Sequence, residues 1–184
     1  MRRHSAPPRT LEREMPGPPV RYWPRALPVA DAQLSQLITL DWRSQMHARR
    51  TASFGVPYNY SGQVYPEAPM PPVIVEVAER AAELAGHRFD NCLGNLYESG
   101  NSSMGFHSDS YDQLVSTSWI AIASFGATRS LVFRSNDRSS WVTHDLEHGS
   151  ILLMNRETQL GWTHAVPTNP GAGLRISLTS GVPL

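Results

Sequence analysis

The sequence predicts an α+β fold, mostly β, in which N-terminal helices back a β-sandwich or jelly roll. Three observations predict it. Apolar residues between positions 31 and 85 recur with a period near 3.6, which is the helical repeat. From residue 89 that period is lost, and short apolar segments bounded by glycine, serine and asparagine follow at intervals of about 8–15 residues. The 184 residues, 40% of them hydrophobic, suffice for one core without disulfide support.

Residues 1–20 contain Pro7, Pro8, Pro16, Pro18 and Pro19 with little apolar content, so this stretch reads as a disordered Arg/Pro-rich arm. Residues 21–184 read as a single domain. A first helix is expected over 31–46, capped by Asp31, with Leu34, Leu37, Ile38 and Trp42 on one face. A second begins at Pro72, which suits a first helical position, carries Val73, Val77, Ala81 and Leu84 as its stripe, and stops at Gly86. Strands are expected at 91–98, 104–108, 118–125, 130–134, 141–146, 149–155, 162–166 and 173–179.

Charge and cysteine usage exclude several classes. The formal net charge is +0, so the chain is not a strongly basic nucleic-acid domain. All 16 basic residues are arginine, which reads first as a compositional bias and second as selection for planar anion-binding forks. Residues 1–25 hold six arginines against Glu12 and Glu14, while the remainder holds ten against fourteen acids, a net of −4. Arg129, Arg134, Arg138 and Arg156 read as a solvated face. Cys92 is the lone cysteine and cannot form an internal disulfide. No apolar run approaches the roughly 18 residues of a membrane span, and no leader-like apolar segment follows the basic N-terminus. A monomeric cytoplasmic protein with no membrane partner is the expectation.

Three histidine segments compete as metal ligands: Phe106-His107-Ser108-Asp109, His144 with His148, and Trp162-Thr163-His164. His107 and Asp109 are two apart, which puts both on one face of a strand. His164 lies 55 residues past Asp109 on a later strand. Two histidines and a carboxylate form the facial triad of non-haem Fe(II) oxygenases, which leaves coordination sites open. Arg175, 11 residues after His164, would point into the jelly roll, where a guanidinium is expensive unless it meets an anion.

Several stretches extend the pattern: Pro57-Tyr58-Asn59-Tyr60-Ser61-Gly62, Asn95-Leu96-Tyr97-Glu98-Ser99-Gly100, Met104-Gly105-Phe106-His107-Ser108-Asp109, Ser124-Phe125-Gly126-Ala127-Thr128-Arg129, His148-Gly149-Ser150-Ile151-Leu152-Leu153-Met154, and Arg175-Ile176-Ser177-Leu178-Thr179. In order and spacing, from about residue 55 to residue 180, the chain resembles the AlkB-type Fe(II)/2-oxoglutarate-dependent dioxygenases. The resemblance implies a double-stranded β-helix. It implies Fe(II) on His107, Asp109 and His164, and 2-oxoglutarate on Arg175, with Asn95 and Tyr97 as polar contacts and His148 structural. It implies O2 as cosubstrate and oxidative demethylation of an N-alkylated nucleic-acid base, single-stranded or flipped out of a duplex, with release of formaldehyde, succinate and CO2. Tyr60 would stack on the base, with Tyr58 beside it.

Three departures from the family pattern stand out. Repair members carry a second arginine six residues after the first, where this chain has Gly181, and an asparagine where it has Ser177. An arginine restored at 181 is expected to tighten cosubstrate binding. Repair members also carry an acid two residues after the iron aspartate; here that position is Tyr111, with Asp112 next to it as a substitute. Two other readings remain: hydroxylation of a small molecule or peptide with the same cofactors, and a binding module that has lost turnover.

Overall fold

The structure, a computed structural model, describes residues 17–46, 48–57, 59–60, 63–64, 66–109, 112 and 114–184, without the side chains of 44–46, 59–60 and 63–64. Its elements are β1 (Val20–Trp23), α1 (Ala30–Leu37), β2 (Arg43–Met46), β3 (Arg49–Gly55), β4 (Asn59–Tyr60), β5 (Gln63–Val64), α2 (Pro72–Ala85), β6 (Asn91–Tyr97), β7 (Met104–His107), β8 (Ile120–Gly126), β9 (Arg129–Ser135), β10 (Trp141–Leu146), β11 (Ser150–Met154), α3 (Arg156–Gly161), β12 (Trp162–Val166) and β13 (Arg175–Gly181). A seven-stranded sheet runs β1-β11-β8-β13-β6-β3-β2 and a four-stranded sheet runs β10-β9-β12-β7, with β4 and β5 pairing as a separate hairpin. Every registered strand pair is antiparallel. The mostly-β jelly roll expected from the sequence is the observed fold.

Alternation along the strands makes two cores. On β13, Ile176 and Leu178 face the helices and pack with Val73, Ile74, Val77 and Ala81 of α2. Tyr97, Ile122, Phe133, Leu152 and Met154 fill the space between the sheets. The large sheet is thus covered on both faces, which is why β6 and β11 are buried along their whole length. Eight strands lie where the sequence puts them, within a few residues at each end. Helix α2 behaves as expected: Pro72 opens it, and Gly86, at φ 80°, closes it with its N–H on Ala82 O.

The first helix is shorter than the sequence suggests. It spans Ala30–Leu37, and residues expected to continue it form β2. The reason lies in side-chain donors that take the terminal carbonyls. Thr39 Oγ1 donates to Gln36 O at 2.7 Å, and Trp42 Nε1 donates to Leu37 O at 3.0 Å. Trp42, whose spacing mimics a helical stripe, instead lies back across Gly94, where a Cβ would come within 2.8 Å of its ring. Asp31 lies within the first turn rather than at the cap, which is Val29. Of the N-terminal arm, residues 1–16 lie outside the described residues, and Val20 opens β1 by pairing with Met154 of β11. No helix among the described residues is long and apolar enough to cross a membrane.

Arg129 does not belong to a solvated face. It is 1% exposed, and its guanidinium donates to the carbonyls of Ser99 (3.4 Å), Ser102 (2.8 Å) and Pro167 (2.6 Å). One side chain therefore ties the segment before β7 to the segment after β12. Leaving a buried acceptor unpaired costs about 1–3 kcal/mol. Arg129→Met is expected to destabilise the fold by roughly 3 kcal/mol or more in urea unfolding; a loss under about 0.5 kcal/mol would contradict the tie.

Candidate active site

The pairing of β7 with β12 assembles the metal candidates. His107 and His164 are cross-strand partners, and partners share a face. Their rings lie 4.3 Å apart between centroids. Asp109 follows β7 immediately and reaches both: its Oδ1 is 3.7 Å from His107 Nε2, and its Oδ2 is 3.7 Å from His164 Nε2. One ligand atom from each of the three lies within 4.8 Å of the others. The donor set suits a divalent cation. His107 Nδ1 donates to Gly105 O at 2.9 Å, which leaves Nε2 as the ring nitrogen facing Asp109. Burial pushes His164 down to about 4, with Asp109 opposing and His107 reinforcing the shift, so its imidazole is neutral at physiological pH. His164 is thus in the form that binds metal.

Sequence reasoning missed Gln159. Its Oε1 accepts from Asp109 N at 2.8 Å, and its Nε2 lies 3.5 Å from Asp109 Oδ2. The amide grips both backbone and carboxylate of the one residue that touches both histidines. Asn155 sets this up: as N-cap of α3 it accepts from Thr158 N at 2.9 Å, and Thr158 Oγ1 donates to Pro19 O at 2.9 Å. The capping Asn155 was a readable signal for the short helix, whereas nothing local marks Gln159.

A candidate anion site lies on the large sheet. Arg175 is 1% exposed, and Nη2 donates to Ser124 Oγ at 3.0 Å. Its Nε and Nη1 are buried without hydrogen-bond partners. Two unpartnered nitrogens on a buried guanidinium are donors that an anion would satisfy. Tyr97 stands between two cations, 5.1 Å from the Arg175 guanidinium carbon and 5.6 Å from that of Arg129. The Tyr97 hydroxyl lies 4.0 Å from Met104 Sδ on β7, which links this side to the histidine side. Next to it a polar row crosses five strands, Thr51–Asn95–Ser177–Ser124–Ser150, each a cross-strand partner of the next. All five are buried. Asn95 Oδ1 accepts from Arg49 Nε at 2.7 Å, a second contact the sequence did not announce.

The residue pattern now meets a family model. The description "2OG-Fe(II) oxygenase superfamily" matches residues 29–180. The chain belongs to that superfamily. Members of this oxygenase family use Fe(II), 2-oxoglutarate and O2, and the His/Asp/His group and the unsatisfied Arg175 fit those ligands in this chain. The oxygenase is 35% identical over 135 residues to DNA oxidative demethylase ALKBH2 of Bos taurus, covering 68% of this chain and 49% of that protein. It is 36% identical over 130 residues to human alpha-ketoglutarate-dependent dioxygenase alkB homolog 3, covering 65% and 46%. These likenesses make it an AlkB-type member. The chain spans about half the length of these two relatives. A solved structure titled "The structure of OsALKBH1" superposes with a TM-score of 0.64 at 15% identity, over 94% of this chain and all of that one, a likeness of fold.

The remaining expected residues divide. His148 is spent on structure, its Nδ1 accepting from Gly126 N at 2.9 Å, and His144 is buried against Phe133. Tyr58 and Tyr111 lie outside the described residues, as does the side chain of Tyr60, whose backbone is in β4. Asp112 is exposed. At Gly181 an added Cβ would lie 3.1 Å from Leu114 Cδ2, so the end of that side chain must shift by a few tenths of an ångström to admit an arginine.

Two measurements test this site. Gln159→Leu is expected to weaken Mn(II) binding, followed by electron paramagnetic resonance, by about 10–100-fold while the melting temperature changes little. Undiminished affinity would remove Gln159 from the metal site. The depressed His164 gives a second test. Its proton is bound below about 6.5 in the unfolded chain but only below about 4 in the fold, so metal-free protein loses stability as pH falls through that window. Chelator-treated wild type should lose more stability between pH values of about 7 and about 5 than His164→Leu does; equal losses would contradict a neutral, buried His164.

Proposed function

We propose that this chain is an Fe(II)/2-oxoglutarate-dependent oxidative demethylase of N-alkylated nucleic-acid bases, acting as a monomer in alkylation-damage repair. The carrying observation is the buried Arg175 with two unpartnered N–H groups, in a fold that also gathers His107, Asp109 and His164. The reading is supported by two relatives whose names describe DNA oxidative demethylation and alkB-type dioxygenation. The monomeric reading is supported by His107, Asp109, His164 and Arg175 all lying in the one chain. The buried thiol of Cys92, pushed up to about 12 chiefly by burial, is compatible with a reducing cytoplasm.

When bound, iron and 2-oxoglutarate supply oxidation of a C–H bond by O2: one oxygen atom leaves in succinate with loss of CO2, and the other ends on the substrate's methyl carbon. The N–CH2OH group then breaks its C–N bond, releasing formaldehyde and returning a proton to the base nitrogen. The residues of the chain bind and orient. His107, Asp109 and His164 are the proposed ligands, and Gln159 fixes the carboxylate. Arg175, helped by Ser124, takes the distal carboxylate of 2-oxoglutarate, with Asn95 and Tyr97 as polar neighbours. Tyr60 is proposed to stack on the base, with Tyr58, Tyr111 and Asp112 bordering it.

The deciving experiment is anaerobic loading with iron and 2-oxoglutarate, then turnover of an N-methylated oligonucleotide with formaldehyde and succinate both measured. The expected result is one formaldehyde per succinate. For Arg175→Met the 2-oxoglutarate KM should rise at least about tenfold, since losing one partner of a buried charge pair costs roughly 2–5 kcal/mol and about 1.4 kcal/mol is one decade. Tyr60→Ala should lower oligonucleotide turnover by about 5–150-fold. The net −4 charge after residue 25 favours the alternative of a small-molecule or peptide substrate. Succinate without formaldehyde on every methylated oligonucleotide, with coupled turnover of a metabolite or peptide, would establish that alternative instead.

A further inference from the structure

The outer face of the small sheet carries an exposed aromatic pair that the active site does not use. Phe106 and Trp141 are 37% and 57% exposed. Their rings meet edge to face, 5.4 Å apart at 89°. The guanidinium carbon of Arg134 lies over both, 4.1 Å from the Phe106 centroid and 5.4 Å from that of Trp141. The backbone explains the cluster. Trp141 and Arg134 are cross-strand partners on β10 and β9, and Phe106 reaches them from β7 across β12. Neither ring packs into the two hydrophobic cores.

The charges around it leave the cation available. Asp145, the acid on the same face of β10, accepts from Ser130 Oγ at 2.7 Å, four residues along the strand and so about 13 Å away. Asp137, in the turn after β9, is occupied by Ser135 Oγ and by Ser139 N and Oγ. Phe106 directly precedes His107 but leaves the opposite face of β7, and β7 is the edge of the small sheet, so a polynucleotide on the outer face would reach His107 by rounding that edge. Two ring faces and one planar cation match the π-face of a base and its phosphate. A protein partner calls for a broader apolar patch, of some hundreds of Å².

We propose that Phe106, Arg134 and Trp141 form a stacking platform for the single-stranded polynucleotide flanking the target base, leading the strand across β10 and β9 toward His107. This inference rests on the nucleic-acid reading above. The platform holds nucleotides that are not oxidised, so it sets affinity and length preference and leaves the chemistry alone.

The test is fluorescence anisotropy with an unmethylated single-stranded oligonucleotide, beside turnover of its methylated counterpart and substrate-free 2-oxoglutarate decay. Trp141→Ala is expected to weaken binding by about 5–150-fold, the worth of one stacked base, and Trp141→Phe to retain most of it. Arg134→Met should flatten the salt dependence of binding by up to about one unit of slope. Substrate-free decay and melting temperature should match wild type in all three. If wild type acts on methylated oligonucleotides but Trp141→Ala and Phe106→Ala bind as tightly, the platform is wrong and the function stands. If wild type neither binds nor oxidises any oligonucleotide, both fall. If Trp141→Ala instead dissociates a wild-type dimer at unchanged oligonucleotide affinity, the face is a protein interface and the proposal fails.

Discussion

The site depends on one strand pairing. β12 lies antiparallel to β7 in the register that sets His164 opposite His107. Side chains alternate along a strand, so a slip of one residue would turn His164 to the outer face and bring Thr163 or Ala165 inward. The register is held from both sides of β12. Phe133 of β9 pairs with His164, and its ring packs 5.9 Å from the imidazole. Arg129 then ties the far ends of β7 and β12 through three carbonyls. The metal candidates are therefore consequences of how the small sheet closes, with Asp109 added from the next turn of chain.

The large sheet answers a different requirement. Two guanidinium groups are almost wholly withdrawn from water, and burial lowers the affinity of both for their protons. For Arg129 the compensation is internal at both Nη atoms, and Nε alone lacks a partner. For Arg175 it is incomplete, because Nε and Nη1 have nothing to donate to. A stable fold does not ordinarily leave two such donors buried, and an anionic cosubstrate resolves the deficit. The serines and threonine of the adjacent row add hydroxyls that rotate to suit whatever they face.

Legibility in the sequence followed the range of the interaction. The eight strands after residue 89 were readable because each is a short apolar segment with its own turn signals. The metal candidates were readable because His107 and Asp109 stand two apart and His164 lies on a later strand, although Asp109 falls just past the end of β7. Arg175 was readable because an arginine inside a strand demands an anion. What escaped depended on contacts across the fold. The end of α1 turns on Trp42 reaching back to Leu37 O, and Trp42 has helical spacing in the sequence. Gln159 and Arg49 gain their roles from partners 50 and 46 residues away. Arg129 looked like one more surface arginine until three carbonyls surrounded it.

The central claim is that one metal ion held by His107, Asp109 and His164 shares its bound 2-oxoglutarate with Arg175. The most direct measurement is the visible charge-transfer absorption of the anaerobic Fe(II)·2-oxoglutarate complex, titrated in wild type, Asp109→Ala and Arg175→Met. The account predicts a band in wild type that saturates at one iron per chain and requires 2-oxoglutarate. It predicts no band in Asp109→Ala, and in Arg175→Met the same band at 2-oxoglutarate concentrations at least about tenfold higher. A band of wild-type intensity and affinity in either variant would contradict it.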